Sequence, residues 1–267
     1  MSFKLVATAC AAATIGIALT FTGVSAAGPS AMATQAAAPA QDAAPGIDPY
    51  LLLTKTCGAL GAADAFSFHA EVLFDQVLPH AVKVQYAAEM NFALQRPGEL
   101  AVDYHSDLGG KELWYQNGML TIFDEPHMMY ASMKVPSSID AMLDQVAATE
   151  HLTLPLSNFA YSDPCARIRK RIIYGTYIGV NDVNGVACDH VAFSSKNVDL
   201  QLWLDRSGKP VPRKMVINYR TEPGSPEYIA VLSNWKFPKE IPDSHFRADP
   251  PKDAKKIEFL KVKESQP

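Results

Sequence analysis

None of the seven histidines in this 267-residue sequence belongs to an HExxH motif, no two of them stand four apart, and no Cys-x-x-Cys occurs. Metal sites on helices and knuckles need those spacings to bring ligands together, so no metal site is expected. The nearest grouping, Cys188-Asp189-His190, puts Cys188 and His190 on one face of a strand and Asp189 on the other, and so brings together two ligands at most. A G-x-S-x-G elbow is also missing, so no local signature announces a nucleophile. Carboxylates such as Asp103 with Asp107, or Asp124 with Glu125, fit exposed strand and turn positions better than acid–base pairs. Gly109-Gly110 and Gly175-x-x-x-Gly179 precede strands rather than helix starts, which leaves no phosphate cradle and no expected nucleotide cofactor. The expectation is a protein without catalytic residues and not an enzyme.

Charge is scarce as well. Charged residues make up 19% of the chain and hydrophobic ones 48%, which argues against wholesale disorder and against many membrane spans. Lys4 is the only charge in the first 26 residues, so the remainder carries 23 basic and 28 acidic groups, or −5 with neutral histidines. With that balance and no Lys/Arg-dense stripe, nucleic acid is excluded as a partner.

The N-terminus does have a pattern. Lys4, an apolar run from Leu5 through Phe21, and the small residues Val24, Ser25 and Ala26 read as a secretory signal (1–26) cleaved after Ala26. The run is shorter than the ~20 apolar residues of a spanning helix, so the expected location is the periplasm. Residues 27–46 are Ala/Pro-biased with almost no large apolar side chain and read as a flexible linker. A single domain is expected over 47–260, followed by a tail at 261–267. Cys57, Cys165 and Cys188 remain after Cys10 leaves with the signal, in an oxidising compartment. One reading is a bridge plus a free thiol, with Cys165–Cys188 preferred because Cys57 falls on a buried helix face. The other is three small buried apolar residues.

Asp48 and Pro49 suit the start of a helix whose Leu53, Cys57 and Leu60 share one face. Period-two alternation marks strands over 66–76 and, at unusual length, from Val82 to Leu94. Turn signals, Asn117-Gly118 foremost, divide 99–133 into short strands. A helical interlude carries Ile139, Met142, Leu143 and Val146 on one face, and a short basic helix after Asp163-Pro164 contains Arg167, Arg169, Lys170 and Arg171. Strands are expected again over 172–181, 186–195, 198–206, 213–221 and 227–237. Short turns between consecutive strands require antiparallel pairing.

The strings FSFHAEVLFDQV, RPGELAVDYHSDLGGKELWYQNGMLTIFDEPHMMYA, NGVACDHVAF, DLQLWLD and PRKMVINYRTEPGSPEYIAVLSNW resemble an uncharacterised family of predicted bacterial periplasmic proteins, over about residues 48–257. That family is in turn similar to the lipoprotein-carrier LolA/LolB-like superfamily. The resemblance implies an α+β, mainly antiparallel fold: an incomplete, half-open β-barrel wrapped around a few helices, able to hold acyl chains. Cys188 fits the family pattern, whereas Cys57 and Cys165 do not. The expected function is non-enzymatic binding of a lipid, acyl chain or lipoprotein-like hydrophobic ligand by a monomer. The alternative is an envelope sensor or regulator that binds an inner-membrane protein. Expected lining residues are Phe68, Val72, Phe74, Val84, Tyr86, Met90, Phe92, Val102 and Tyr104 from the strands, with Met142 and Val146 from the helical interlude.

Overall fold

The computed structural model describes residues 46–149 and 156–259. The signal segment, its cleavage after Ala26, nearly all of the 27–46 linker and the 261–267 tail lie outside the described residues. Helix α1 (Pro49–Gly61) opens the domain, and Asp48 caps it, the Tyr50 backbone N–H donating to Asp48 Oδ1 at 2.8 Å. Pro49 sits in the first turn, where a missing N–H costs nothing. Helical spacing brings Leu53, Thr56, Cys57 and Leu60 onto one buried face.

Six strands follow, β1 (Ala65–Val77), β2 (Lys83–Gln95), β3 (Glu99–Ser106), β4 (Lys111–Gln116), β5 (Met119–Asp124) and β6 (Met129–Lys134). Helices α2 (Ile139–Thr149) and α3 (Ala166–Arg169) interrupt the chain before β7 (Ile172–Val183), β8 (Val186–Ser195), β9 (Asp199–Asp205), β10 (Pro212–Asn218), β11 (Glu227–Lys236) and β12 (Lys255–Ile257). All twelve form one sheet in the order β12-β6-β5-β4-β3-β2-β1-β11-β10-β9-β8-β7. The two edge strands do not pair with each other, so the sheet is an open barrel with the helices packed into its core. This is the mainly antiparallel α+β half-barrel expected from the sequence. Among the described residues no helix is long and apolar enough to cross a membrane.

Turn chemistry holds where it is strongest. Asn117 and Gly118 both take positive φ (54° and 70°), as do Asn184 and Gly185 (51° and 81°), joining β4 to β5 and β7 to β8 by two-residue hairpins. One pairing departs from the expected antiparallel pattern: β12 runs parallel to β6. It returns after a long connection rather than a hairpin, and this frees it from the antiparallel constraint.

The register lines up the core in cross-sheet rows. Phe66, Leu94, Leu100, Tyr115 and Leu120 are successive partners on β1 to β5, and each is at most 1% exposed. Fully burying one such side chain stabilises the fold by roughly 1.5–3 kcal/mol. Helix α2 docks at this end: the Ile139 N–H donates to Pro97 O at 3.0 Å, and the Tyr115 hydroxyl donates to Pro136 O at 2.7 Å. Phe68 lies 4.8 Å from Phe92 and 4.5 Å from Trp235, whose indole N–H donates to Pro212 O at 3.0 Å. This seam joins β1 and β2 to β11.

The cysteines correct the expected pair. Cys57 is bridged to Cys165 with Cα atoms 5.8 Å apart, while Cys188 is free and buried on β8. Cys57 does lie on the buried face of α1, but that face meets the strap formed by residues 156–171 as well as the sheet. The strap approaches so closely that a Cβ on Gly61 would come within 2.6 Å of Ser162 O, so only glycine fits there. Burial, with the Asp205 carboxylate nearby, pushes the Cys188 thiol up to about 11, and it donates to Val186 O at 3.3 Å. A thiol held protonated and out of solvent is inert. On the chain from Ala27, alkylation followed by mass spectrometry should give no adduct when native, one when denatured without reductant and three after reduction. A native adduct, or three without reductant, contradicts this arrangement.

Candidate ligand-binding cavity

Between α1, the strap and the second half of the sheet lies an open cavity of about 890 Å³. Its floor follows from strand register. Leu200 and Leu202 on β9 alternate onto one face and stand opposite Ile217 and Met215 on β10. The row continues from Ile217 to Tyr228 on β11, and on the other side from Leu200 to Phe193 on β8. Leu53, Thr56, Cys57 and Leu60 of α1 form one wall. Phe159 and Ile168 from the strap and Leu143 and Val146 from α2 complete the enclosure. The volume falls within the roughly 300–1,000 Å³ of ligand sites, and the lining is mostly apolar, as such sites are.

Among the polar groups of the lining, which include Ser157, Ser194, Ser195 and Tyr219, two buried hydroxyls stand out. Thr56 Oγ1 and Tyr228 Oη are buried without a hydrogen-bond partner among the described protein groups. Leaving such a group unpaired costs about 1–3 kcal/mol, so a side-chain rotation that brings either hydroxyl to a polar atom of a guest would be favoured. Burial pushes the Tyr228 phenol well above the usual tyrosine range, with Tyr104 and Tyr219 beside it, and it stays a neutral donor and acceptor.

The rim has the opposite character. Arg167, Arg171 and Lys196 line the mouth. Arg167 pairs with Asp144 and lies over the Tyr161 ring, 4.6 Å from its centroid. Burial, with a hydrogen bond to Asp144, pushes Tyr161 up to about 12. Arg171 and Lys196 form no ion pair among the described residues. An apolar interior with buried hydroxyls and a cationic rim matches an amphiphile that has an apolar body and a polar or anionic end. No group of three metal-ligating side chains occurs among the described residues.

Of the residues expected from the sequence to line the site, Val146 borders the cavity. Phe68, Val72, Met90, Phe92, Val102 and Met142 are buried in the continuous core, and Phe74 and Tyr104 pack against it. Phe74 pairs with Tyr228 on one side and Tyr86 on the other, so these two extend the floor row beyond the cavity. Val84 and Tyr86 are only half-buried, because the far ends of β1 and β2 outrun the core. The floor residues Leu200, Leu202, Met215 and Ile217 already alternate visibly in the sequence. What the sequence does not show is that the helices and the strap stand off from the sheet over β8 to β11.

A family model described as "Predicted periplasmic protein (DUF2092)" matches residues 50–260. No curated protein matches the sequence. Solved structures similar in fold include LprF from Mycobacterium bovis, 15% identical, covering 72% of this chain and 94% of that one, with a TM-score of 0.44. The LolA superfamily protein NE2245 from Nitrosomonas europaea is 10% identical over 76% of this chain and 99% of its own, with a TM-score of 0.37. The MucA/MucB complex of Pseudomonas aeruginosa gives 11% identity over 76% of this chain and 62% of that one, with a TM-score of 0.42.

Proposed function

The chain belongs to the DUF2092 family of predicted periplasmic proteins, and we propose that in that compartment it is a non-enzymatic binding protein for a lipid or other acyl-chain amphiphile. The observation that carries this reading is the open 890 Å³ cavity, floored by leucine, isoleucine and methionine and holding two unpartnered hydroxyls. Apolar chain burial supplies the affinity, at roughly 0.8 kcal/mol per CH₂. The Thr56 and Tyr228 hydroxyls meet a polar atom of the guest, and the rim cations meet its polar or anionic end. The cavity is bounded by the disulfide-linked α1 and strap on one side and by the sheet on the other, so a guest enters between helices and strands.

Delipidated protein should take up a fluorescent fatty acid saturably, and protein purified gently should carry native lipid into mass spectrometry. Leu200→Trp and Ile217→Trp place a large ring over the cavity floor at half-buried positions, where it fills existing space rather than a packed core. Each is expected to weaken uptake at least tenfold, which corresponds to about 1.4 kcal/mol, without lowering Tm by more than a few degrees. The proposal fails if the wild-type protein takes up no fatty acid and carries no lipid. A stable protein partner captured by crosslinking in cells, with no lipid retained, would instead favour the regulator function.

A further inference from the structure

We propose that the exposed basic and apolar side chains of α3 and the start of β7 form a docking surface for an anionic bilayer, presenting the cavity mouth to the membrane. Four of the five residues from 167 to 171 are basic, and Arg167, Arg169, Lys170 and Arg171 are all exposed. The exception, Ile168, lines the cavity. Beyond Ile172, which lines the cavity, come Ile173, 73% exposed, and Tyr174, 61% exposed, more open than any other large hydrophobic side chain among the described residues. Exposed Leu51 extends the apolar part: its neighbour Tyr50 packs against Phe193, and a Cβ on Gly175 would lie 3.0 Å from the Tyr50 ring.

The chain beyond residue 26 carries −5 overall, so a run of cations here opposes the general balance. The acids nearby are engaged: Asp140 with Ser162, Asp144 with Arg167 and Tyr161, and Asp163 with Arg169. Both of these ion pairs are solvent-exposed and so hold their arginines weakly. Lys170, Arg171 and the neighbouring rim residue Lys196 form no ion pair among the described residues. Cations flanked by an aromatic and a branched aliphatic side chain are the composition that anionic lipid interfaces attract: the charges draw the surface in and the apolar groups enter the headgroup layer. Because Arg167 and Arg171 belong both to this surface and to the rim, docking would set the mouth against the bilayer. The surface rests on residues distinct from the cavity floor, so its test stands apart from ligand uptake.

The chain from Ala27 would be sedimented with vesicles of phosphatidylglycerol and phosphatidylethanolamine, and separately with vesicles of phosphatidylcholine alone. Expected is binding to the anionic vesicles only, and its loss at high salt as the charges are screened. Each basic residue near an anionic surface strengthens binding roughly fivefold, so Arg169→Ala with Lys170→Ala, neither of which lines the cavity, should weaken it by roughly 25-fold. Ile173→Ser with Tyr174→Ser should weaken binding without changing its salt dependence. All four positions are exposed, so thermal unfolding should be unchanged, and uptake of a fluorescent fatty acid in the absence of vesicles should persist in both variants. Equal binding to the two vesicle types, or variants that sediment like wild type, would overturn the proposal. So would light scattering that shows a dimer abolished by Ile173→Ser with Tyr174→Ser in a protein that ignores vesicles, because the patch would then belong to a second copy.

Discussion

Replacing Cys57 and Cys165 together with alanine is expected to lower the unfolding free energy by about 4 kcal/mol, with Tm falling by roughly 10 °C. The bridge closes a separation of 108 residues. In the chain-entropy account, freeing a loop of that length in the unfolded state costs roughly 4–5 kcal/mol of stability. The native side of the balance points the same way. The side-chain ties between the strap and α2, Arg167 and Tyr161 to Asp144 and Ser162 to Asp140, are exposed polar contacts, each contributing at most about 1 kcal/mol. Both cysteines line the cavity, so the variant should also exchange a fluorescent fatty acid faster than wild type. Guanidinium titration of the variant, with reduced wild type in parallel, measures the effect. A loss below about 1 kcal/mol would show that the bridge contributes little to holding the strap.

Why the bridge escaped the sequence shows what sequence patterns can reach. Alternation over 66–76 and from Val82 onward, and the Asn-Gly hairpins, depend on local sterics and a period of two, and the structure reproduces them as β1, β2 and the β4–β5 and β7–β8 turns. Cysteine pairing depends on distances set only after folding, and a cysteine four residues from Leu53 on an apolar face looks like core whether or not it is bonded. For the same reason the sequence presents two equally apolar halves of the sheet. Phe68 and Leu202 sit in equally regular alternating runs, yet one is packed against Phe92 and Trp235 and the other floors the cavity. The difference is which side chains reach across from outside each run: Trp235 and the strap's Phe159 close over Phe68, and nothing in a period of two announces either contact. Strand β12 has three residues, too few for any period to show.

Arg96 is the sharpest case, since the sequence marks it only as part of a turn. Its guanidinium donates from Nε to Ala63 O at 3.2 Å, from Nη1 to Ala160 O at 2.9 Å and from Nη2 to Tyr161 O at 3.0 Å. One side chain at the end of β2 thereby ties the α1–β1 connection to the strap. Burial draws its pKa below the usual arginine range, opposed by Asp140 and Asp64. Arg96→Ala leaves three carbonyls without their charged donor, and each such bond contributes about 1.5–3 kcal/mol when made. Water can reach this half-buried site and recover part of the loss, so the expected destabilisation is about 3–5 kcal/mol. Arg96→Lys should recover less than half, because a single ammonium cannot span three acceptors fixed in the plane of a guanidinium fork. Both the guanidinium and the disulfide hold the stretch from Ala160 to Cys165. Once either is gone the strap is already loosened, so combining Arg96→Ala with the double cysteine variant should cost at least about 1 kcal/mol less than the sum of the two. Strict additivity by denaturant titration would mean that the two clamps act on independent parts of the strap, and that the cavity wall does not behave as one unit.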